Sequence, residues 1–266
     1  MGDFRTRHPG ANSGRGFSKE LWADCPRSSI ESDPDFGWYF RDDFMDVFDL
    51  TNRYTLTQAT AGTFAMIDDD ETAPLTDGGI AALDCGSSTV AQGGNVQASS
   101  TVGARFKPQA NSKIWFEARI AVADLTAGST GPEFYCGLAE IDTTIIGSSA
   151  LSTANHVGFS SVTDDGVLIS AAEKASAAHT GTTMLALGTA PLLADVTWHK
   201  IGFRITNLTK VEFFVDGVQK SGTGDNVATA NIPIVAMVPS LVCHSDGTVD
   251  PIVYIDWWDC YQSKRT

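Results

Sequence analysis

The chain has 266 residues, of which 42% are hydrophobic and 19% are charged. A chain of this length can bury about 70% of its extended surface on folding. These values exclude a chain that is intrinsically disordered throughout. Its 18 Lys and Arg against 32 Asp and Glu give a net charge of -14. This negative charge repels the phosphate backbone of nucleic acids, so we expect no nucleic-acid partner. No stretch approaches the roughly 20 apolar residues of a membrane span. We therefore expect no membrane association.

The N-terminal segment, residues 1–37, is rich in Gly, Ser, Arg, Asp and Pro and has no helical or strand period. Its first nineteen residues carry four basic side chains against one acid, a net charge of +3. We predict an extended arm that pairs with an acidic surface on its own body, on another copy or on another protein. The alternative for residues 1–16 is a solvated terminus. The predicted partner-binding residues are Arg5, Arg7, Arg15, Phe17, Lys19, Leu21 and Trp22.

From Phe40 onward, short segments separated by Gly, Asn, Asp or Ser predict an all-β domain. Residues 114–120 alternate cleanly, with Glu117 and Arg119 opposite the apolar positions, which predicts one buried face and one face in water. The absence of helical patterns between strands predicts antiparallel sheets. Residues 171–179 are interpreted as a loop or a strand with exposed alanines, a short helix being the alternative. Further predicted strands are 54–58, 63–67, 102–106, 134–138, 157–161, 167–170, 198–206, 211–215, 234–243 and 252–261.

The clearest local pattern is a hairpin over residues 198–218. Its first strand places Ile201, Phe203 and Ile205 on one face, its second strand alternates in the same way, and Asp216-Gly217 supplies the following turn. This hairpin, which begins at a Trp and ends in an aromatic-Val-Asp-Gly sequence, resembles the central region of concanavalin A-like and laminin-G-like jelly rolls.

The resemblance continues through Asp42-Asp43-Phe44, Phe116–Ile120, Phe134–Leu138 and Ile252–Trp258, and covers about residues 40–262. It implies an antiparallel two-sheet jelly-roll sandwich over residues 38–266, with the extended N-terminal arm before it. The order of motifs, with a Met1 start and no apolar secretory segment, is most similar to jelly-roll structural proteins of tailed bacteriophages.

That similarity implies a non-enzymatic virion protein that decorates or cements the capsid and is assembled in the host cytoplasm. Its partners would be the major capsid protein or other virion proteins, and a homo-oligomer is expected. A second hypothesis is a carbohydrate-binding, lectin-like module of a tail or fibre. In that case the acidic clusters 68–71 and 164–166 could bind calcium, and Trp257 or Trp258 could be exposed for stacking. Apart from this calcium, we expect no cofactor.

The third hypothesis is a glycoside hydrolase. Glu140-Ile141-Asp142 reproduces the start of the hydrolase strand signature of related jelly rolls, but the second Glu is missing. Without it, no partner divides the acid and nucleophile roles, so we predict that the chain is not an enzyme. The histidines show no His-Glu-x-x-His spacing, and no Gly-x-Ser-x-Gly elbow is present.

The five cysteines, Cys25, Cys85, Cys136, Cys243 and Cys260, have no Cys-x-x-Cys spacing, which favours neither a zinc knuckle nor a redox pair. Their odd number fits a reducing compartment. We expect Cys136, Cys243 and Cys260 to be buried free thiols.

Overall fold

A computed structural model describes residues 16–45, 50–58, 62–67, 79–86, 92–98, 106–123, 133–141, 144–147, 150–161, 167–174, 177–178, 183–186, 198–220, 229–245 and 251–264. The described residues form two large antiparallel sheets packed face to face. Helical structure in them is confined to α1 (Arg27–Ser32), α2 (Leu50–Arg53) and a 3-10 turn at Thr229–Asn231. The strands are β1 (Gly37–Asp42), β2 (Tyr54–Gln58), β3 (Thr63–Met66), β4 (Ala81–Asp84), β5 (Gly93–Ala98), β6 (Lys113–Ala123), β7 (Glu133–Ala139), β8 (Ile146–Gly147), β9 (Ala150–Leu151), β10 (His156–Ser160), β11 (Val167–Lys174), β12 (Ala177–Ala178), β13 (Thr183–Ala186), β14 (His199–Thr206), β15 (Lys210–Val215), β16 (Val218–Lys220), β17 (Val238–His244) and β18 (Ile252–Ser263).

The two sheets differ in which strands they contain. Sheet A has the order β16-β15-β14-β6-β18-β4-β3, and β1 also pairs with β18. Sheet B has the order β12-β11-β10-β7-β17-β5-β2, and β13 also pairs with β11. The short hairpin β8–β9 forms a separate two-stranded sheet. This is the two-layer sandwich that the strand pattern predicts.

Strand β18 lies in the middle of sheet A. It pairs along its length with β6, and its other edge is shared by β4 at residues 252–255 and by β1 at residues 258–263. The register shifts between Ile255 and Trp257. The bulge leaves Trp258 in the core between the sheets and Trp257 on the outer face of sheet A.

The predicted hairpin is present as β14 and β15, with Ile201, Phe203 and Ile205 buried in the core. The Phe203 ring stacks on Phe116 of β6, with 5.1 Å between ring centroids. Asp216 has φ of 51° and Gly217 has φ of 80°, so the residues predicted to turn the chain are in the left-handed region.

Several parts of the chain differ from the sequence interpretation. The arm, which was predicted to be extended, contains the helix α1, and the short strands β8, β9 and β13 were not predicted. Residues 167–174 form a strand in which Ala171 and Ala172 are buried instead of exposed. Strands β4 and β5 were not predicted. Of the predicted strand 102–106, only Phe106 is described, and it forms a single bridge with Met237.

The cysteines agree with expectation: Cys136, Cys243 and Cys260 are buried free thiols. Within the described residues, no helix is long and apolar enough to cross a membrane.

Candidate functional surfaces

The outer face of sheet A is covered by residues 16–36, which we call the strap. Leu21 of the strap is buried against Gly202, where an added Cβ would lie 2.6 Å from the Leu21 Cδ2 atom. Because Gly202 has no side chain, the strap lies directly on the sheet. The strap and the sheet together form a second apolar cluster of Leu21, Trp22, Ile30, Trp115, Phe214 and Tyr261.

A buried carboxylate holds the strap at its first turn. Glu117 of β6 is 1% exposed, and its side chain accepts hydrogen bonds from the Ser18 backbone N–H at 3.2 Å, from the Ser18 hydroxyl and from the Trp22 indole N–H at 2.6 Å. Burial raises the pKa of Glu117, and the bonds from Ser18 and Trp22 oppose that rise. Glu117 was predicted to face water, so that expectation was wrong: the strap supplies its donors.

A second anchor is Arg27 at the start of α1. Its guanidinium lies 3.7 Å from the centroid of the Phe17 ring and 3.2 Å from a carboxylate oxygen of Asp259. The Asp259 side chain is fully buried, and Arg41 of β1 approaches it at 3.7 Å. Two cations therefore face this carboxylate, one from the strap and one from the sheet, which offsets its desolvation.

A third anchor is Asp24, which connects the strap to two strands. It accepts hydrogen bonds from Lys113, from the Trp115 indole N–H at 3.0 Å and from Arg204 at 3.2 Å. Desolvation raises the pKa of Asp24, but these three partners outweigh it and hold the pKa below its usual value. Arg204 also pairs with Glu212 at 2.9 Å.

The strap begins near the start of strand β14 in sheet A, beside the β15–β16 turn. The Lys200 ammonium donates to the backbone oxygen of Gly16 at 2.9 Å. The imidazole of His199 lies 2.8 Å from a carboxylate oxygen of Asp216, whose second oxygen accepts from the Lys200 backbone N–H at 3.0 Å. A Cβ added at Gly217 in the same turn would lie 3.4 Å from the Ser18 hydroxyl oxygen, so Ser18 lies beside this turn. These contacts fix the point from which the chain continues towards residue 15.

The structure places the predicted arm residues differently from one another. Leu21 and Trp22 are buried, and Phe17 is half-buried against Trp257 at a centroid distance of 5.1 Å. Lys19 is exposed. The arm was predicted to pair with its own body, with another copy or with another protein. These three apolar side chains pack on the chain's own body. Arg5, Arg7 and Arg15 lie outside the described residues.

The tryptophan pair in the middle of β18 corrects another expectation. Trp257 is 2% exposed and Trp258 is fully buried, so neither is available for stacking on a ligand. Trp258 packs against Tyr54 and Phe40 in the core, and Trp257 lies under Phe17 of the strap. The two indoles lie on opposite faces of sheet A because neighbouring side chains alternate along a strand. At the bulge that precedes them, the Asp256 carboxylate pairs with Arg119 at 2.8 Å.

The outer face of sheet B is covered by the hairpin β8–β9. Ile145 and Ile146 are buried against a patch that contains Tyr135, Ala139 and Val242. The Ser152 N–H donates to the Ile145 oxygen at 2.8 Å. This hairpin fills the middle of the face with aliphatic side chains.

Below the hairpin, two adjacent glycines make room for one aromatic ring. Gly137 of β7 pairs with Gly158 of β10, and a Cβ on either would lie within 3 Å of the Tyr135 hydroxyl. The Tyr135 hydroxyl donates to the Leu138 oxygen at 2.8 Å. The tyrosine ring therefore folds back over its own strand.

A polar group lies at the end of β7. The Gln97 amide donates to the Ser240 hydroxyl at 2.9 Å and to the Glu140 backbone oxygen at 3.0 Å. The Glu140 carboxylate accepts from the Asn155 amide at 2.8 Å. The residue of the hydrolase hypothesis is thus bound to an amide, while Asp142 of the same motif lies outside the described residues.

Sheet B contains one buried histidine, His156, and one half-buried histidine, His244. His156 is 2% exposed, its Nδ1 lies 2.8 Å from the Ala154 oxygen, and burial lowers its pKa to about 4. His156 is therefore neutral near pH 7. Burial also lowers the pKa of His244. Its Nδ1 atom and the Ser160 hydroxyl find no hydrogen-bond partner in the structure as described.

The calcium hypothesis gains no site from the part of the chain that the structure describes. No group of three or more His, Cys, Asp or Glu side chains that could hold a metal ion is found among the described residues. The acidic clusters 68–71 and 164–166, which were predicted to be able to bind calcium, lie outside them.

Exposed aromatic side chains occur where the strap meets β1. Phe36 is 53% exposed and Tyr39 is 44% exposed. Tyr39 stacks on Tyr261 with 5.3 Å between centroids and an interplanar angle of 14°. Asp35 nearby pairs with Lys264 at 2.9 Å. No sequence signal separated these aromatics from the buried ones, because strand alternation does not reveal where the strap ends.

No protein-family model and no curated protein sequence matches the chain. Solved structures, however, share its fold. A protein of unknown function from Shewanella oneidensis MR-1 is similar at a TM-score of 0.53 and 16% identity, over 90% of this chain and 94% of that one. Peanut lectin gives a TM-score of 0.53 at 13% identity, over 85% and 97%. Arcelin-5, a lectin-like defense protein from Phaseolus vulgaris, gives 0.52 at 9% identity, over 86% and 98%.

These similarities and the two antiparallel sheets define the fold class. The chain has the concanavalin A-like jelly-roll fold of the lectins, as the sequence resemblance implied.

Proposed function

We propose that the protein is a non-enzymatic structural component of a bacteriophage virion, a capsid decoration protein that attaches to the shell through residues 1–15. Its partner would be the major capsid protein or another virion protein. In this proposal the jelly roll is the body, and the strap is the joint between the body and the attaching segment.

The observation that carries the proposal is that a basic segment, residues 1–15, ends at a residue held on the body, Gly16. Residues 1–15 contain Arg5, Arg7 and Arg15 against one acid, a net charge of +2 on a chain of net charge -14. Lys200 holds Gly16 near the start of β14 through a hydrogen bond to its backbone oxygen. The rest of the strap covers the outer face of sheet A. A basic segment that starts from a fixed point is suited to reach a carboxylate-bearing protein surface.

The covered outer face of sheet B supports the non-enzymatic part of the proposal. A hydrolase of this fold class needs two carboxyl groups beside an open groove. Here Ile145 and Ile146 occupy the middle of the face, and the Glu140 carboxylate is bound to Asn155.

Cosedimentation with shells of the phage that encodes the chain tests the proposal. The triple charge reversal Arg5→Glu, Arg7→Glu and Arg15→Glu should reduce the shell-bound fraction at least tenfold. It should leave the thermal unfolding midpoint within 2 °C of that of the unaltered chain, which is about the shift that 1 kcal/mol causes in a chain of this size. The matched control is Lys107→Glu, Lys174→Glu and Lys220→Glu. It makes the same change in net charge on side chains without hydrogen-bond or ion-pair partners in the described structure.

Equal loss of binding by both triple variants would mean that net charge alone determines binding, which would contradict attachment through the arm. Full binding by the arm variant would do the same. Deletion is better made over residues 1–15 than over 1–37, because removing the strap would expose Trp115, Phe214 and Tyr261.

A second candidate function is carbohydrate binding, favoured by the exposed Phe36 and Tyr39 rings beside Asp35. Aromatic faces stack on sugar rings, and a neighbouring carboxylate can accept hydrogen bonds from the hydroxyl groups of the sugar. A glycan array read with Tyr39→Ala, and with Val218→Ala as an exposed control on a distant strand, tests this candidate. Binding that Tyr39→Ala abolishes and the control retains would support it, and no binding above background would reject it.

A further inference from the structure

Two of the five cysteines meet between the sheets. Cys85 follows β4 of sheet A, Cys243 belongs to β17 of sheet B, and their Sγ atoms are 3.1 Å apart. Both are fully buried and are free thiols in the structure. The contact joins residues 158 positions apart in the sequence.

The backbone holds both cysteines against one carbonyl group. The Cys85 N–H donates to the Pro251 oxygen at 3.2 Å, and the Cys243 thiol donates to the same oxygen at 3.5 Å. A Cβ added to the neighbouring Gly93 would lie 2.0 Å from the Cys243 backbone oxygen, so the chain is closely packed there. The two sulfur atoms are therefore positioned by main-chain contacts as well as by side-chain packing.

We propose that Cys85 and Cys243 are a covalent modification site, at which the chain forms a disulfide that links the two sheets when it folds in an oxidising medium. A disulfide bond is about 2.05 Å long, so bond formation brings the sulfur atoms about 1 Å closer. The modification adds no atoms and needs no cofactor.

The oxidant is a small-molecule or protein disulfide, and the reaction is two thiol–disulfide exchanges. One cysteine, as its thiolate, attacks the external disulfide, forms a mixed disulfide and releases one thiolate. The second cysteine, as its thiolate, attacks the protein sulfur of the mixed disulfide, forms the Cys85–Cys243 bond and releases the second thiolate. Two electrons pass to the oxidant, and the two thiol protons pass to the released thiolates.

Burial determines when this exchange takes place. Oxidants cannot reach the two thiols in the folded chain, because both are fully buried. Exchange therefore occurs during folding, before the sheets close over the pair. Once formed, the disulfide is protected from reductants by the same burial.

A cross-link over 158 positions restricts the unfolded chain strongly, since the entropy removed from the unfolded chain grows with the length of the closed loop. For a chain of this size, we expect the oxidised form to unfold roughly 10 °C above the reduced form.

The experiment refolds the full chain with oxidised or with reduced glutathione, blocks remaining thiols in denaturant and maps the peptides by mass spectrometry. After oxidative refolding we expect three blocked thiols and one cross-linked peptide pair that contains Cys85 and Cys243. After reductive refolding we expect five blocked thiols. Five blocked thiols under both conditions, or a cross-link between other cysteines, would overturn the proposal.

Matched variants sharpen the result. The difference in unfolding midpoint between the two media should vanish in Cys85→Ala and persist in Cys136→Ala, which removes another buried thiol from the core. Comparing each variant with itself in the two media removes the cost of the cavity. A difference that persists in Cys85→Ala would overturn the assignment, and if that variant does not fold, the peptide map of the unaltered chain decides.

Discussion

The outer faces of the two sheets are covered in different ways. The strap over sheet A is anchored by three carboxylates, the buried Glu117 and Asp259 and the more exposed Asp24, each of which has partners on the other side of the contact. The hairpin over sheet B is held by apolar contact over a sheet surface made flat by Gly137 and Gly158. A cover built on specific polar partners fixes its position, because any shift leaves a buried charge unpaired.

The largest expected effect separates the two faces directly. Trp22→Ala removes a buried ring and a donor to Glu117, so we expect a loss of about 4 kcal/mol in the free energy of unfolding, measured by denaturant titration. Trp22→Phe, which keeps a six-membered aromatic ring but loses the five-membered ring with its N–H, should cost about 1.5 kcal/mol. An unchanged free energy of unfolding in Trp22→Phe would contradict the role of the hydrogen bond to Glu117.

The next effect is the pH dependence contributed by sheet B. His156 has its pKa lowered to about 4 by burial, whereas the unfolded chain binds that proton near pH 6.5. Stability from this group is complete above pH 6.5 and is lost as the pH falls towards 4, by about 3 kcal/mol in total. His156→Gln should flatten the stability profile over that range. A profile as steep as that of the unaltered chain would show that another group titrates.

A smaller effect tests the flat surface below the hairpin. Gly137→Ala places a Cβ 2.4 Å from the Val157 backbone oxygen, which cannot rotate away. We expect a cost of about 2 kcal/mol in the free energy of unfolding. The control is Gly16→Ala, where nothing lies within 4 Å of the added Cβ, and its expected cost is close to zero. Similar stability of the two variants would mean that the strands part easily at this point.

The smallest effect concerns Glu117. Burial raises its pKa, although the hydrogen bonds from Ser18 and Trp22 oppose that rise. The folded chain therefore binds the proton more tightly, and the contribution of this group to stability falls as the pH rises above the usual value near 4.5. Glu117→Gln should remove that decline, so the rise in unfolding midpoint from pH 5 to pH 7 that His156 contributes should be larger in this variant than in the unaltered chain. An unchanged difference would contradict the raised pKa.

Strands with strong alternation could be predicted from the sequence. The pattern of residues 114–120 and the hairpin 198–218 gave the core face of sheet A, since β-branched and aromatic residues at every second position define both the strand and its buried side. Strands β4, Ala81–Asp84, and β5, Gly93–Ala98, were missed because Ala, Gly and Asn carry little strand preference. Their register comes from neighbours far away in the chain.

The covering of sheet A was the least predictable feature. The bond between Trp22 and Glu117 joins residues 95 positions apart, and local pattern cannot encode such a pairing. One signal was present: Trp115 shares the polar face of β6 with Glu117, and a tryptophan on a face expected in water calls for a covering element. The use of residues 1–15 as an attachment segment stays a prediction.

The central place of β18 has a consequence for biosynthesis. Because β1, β4 and β6 all pair with residues 252–263, sheet A cannot be completed until the ribosome has made this last described strand. The earlier strands must wait with open edges, which slows folding and favours association between nascent chains. Stalling translation before residue 252 should therefore leave a chain that proteases digest readily, while release of the finished chain should restore resistance.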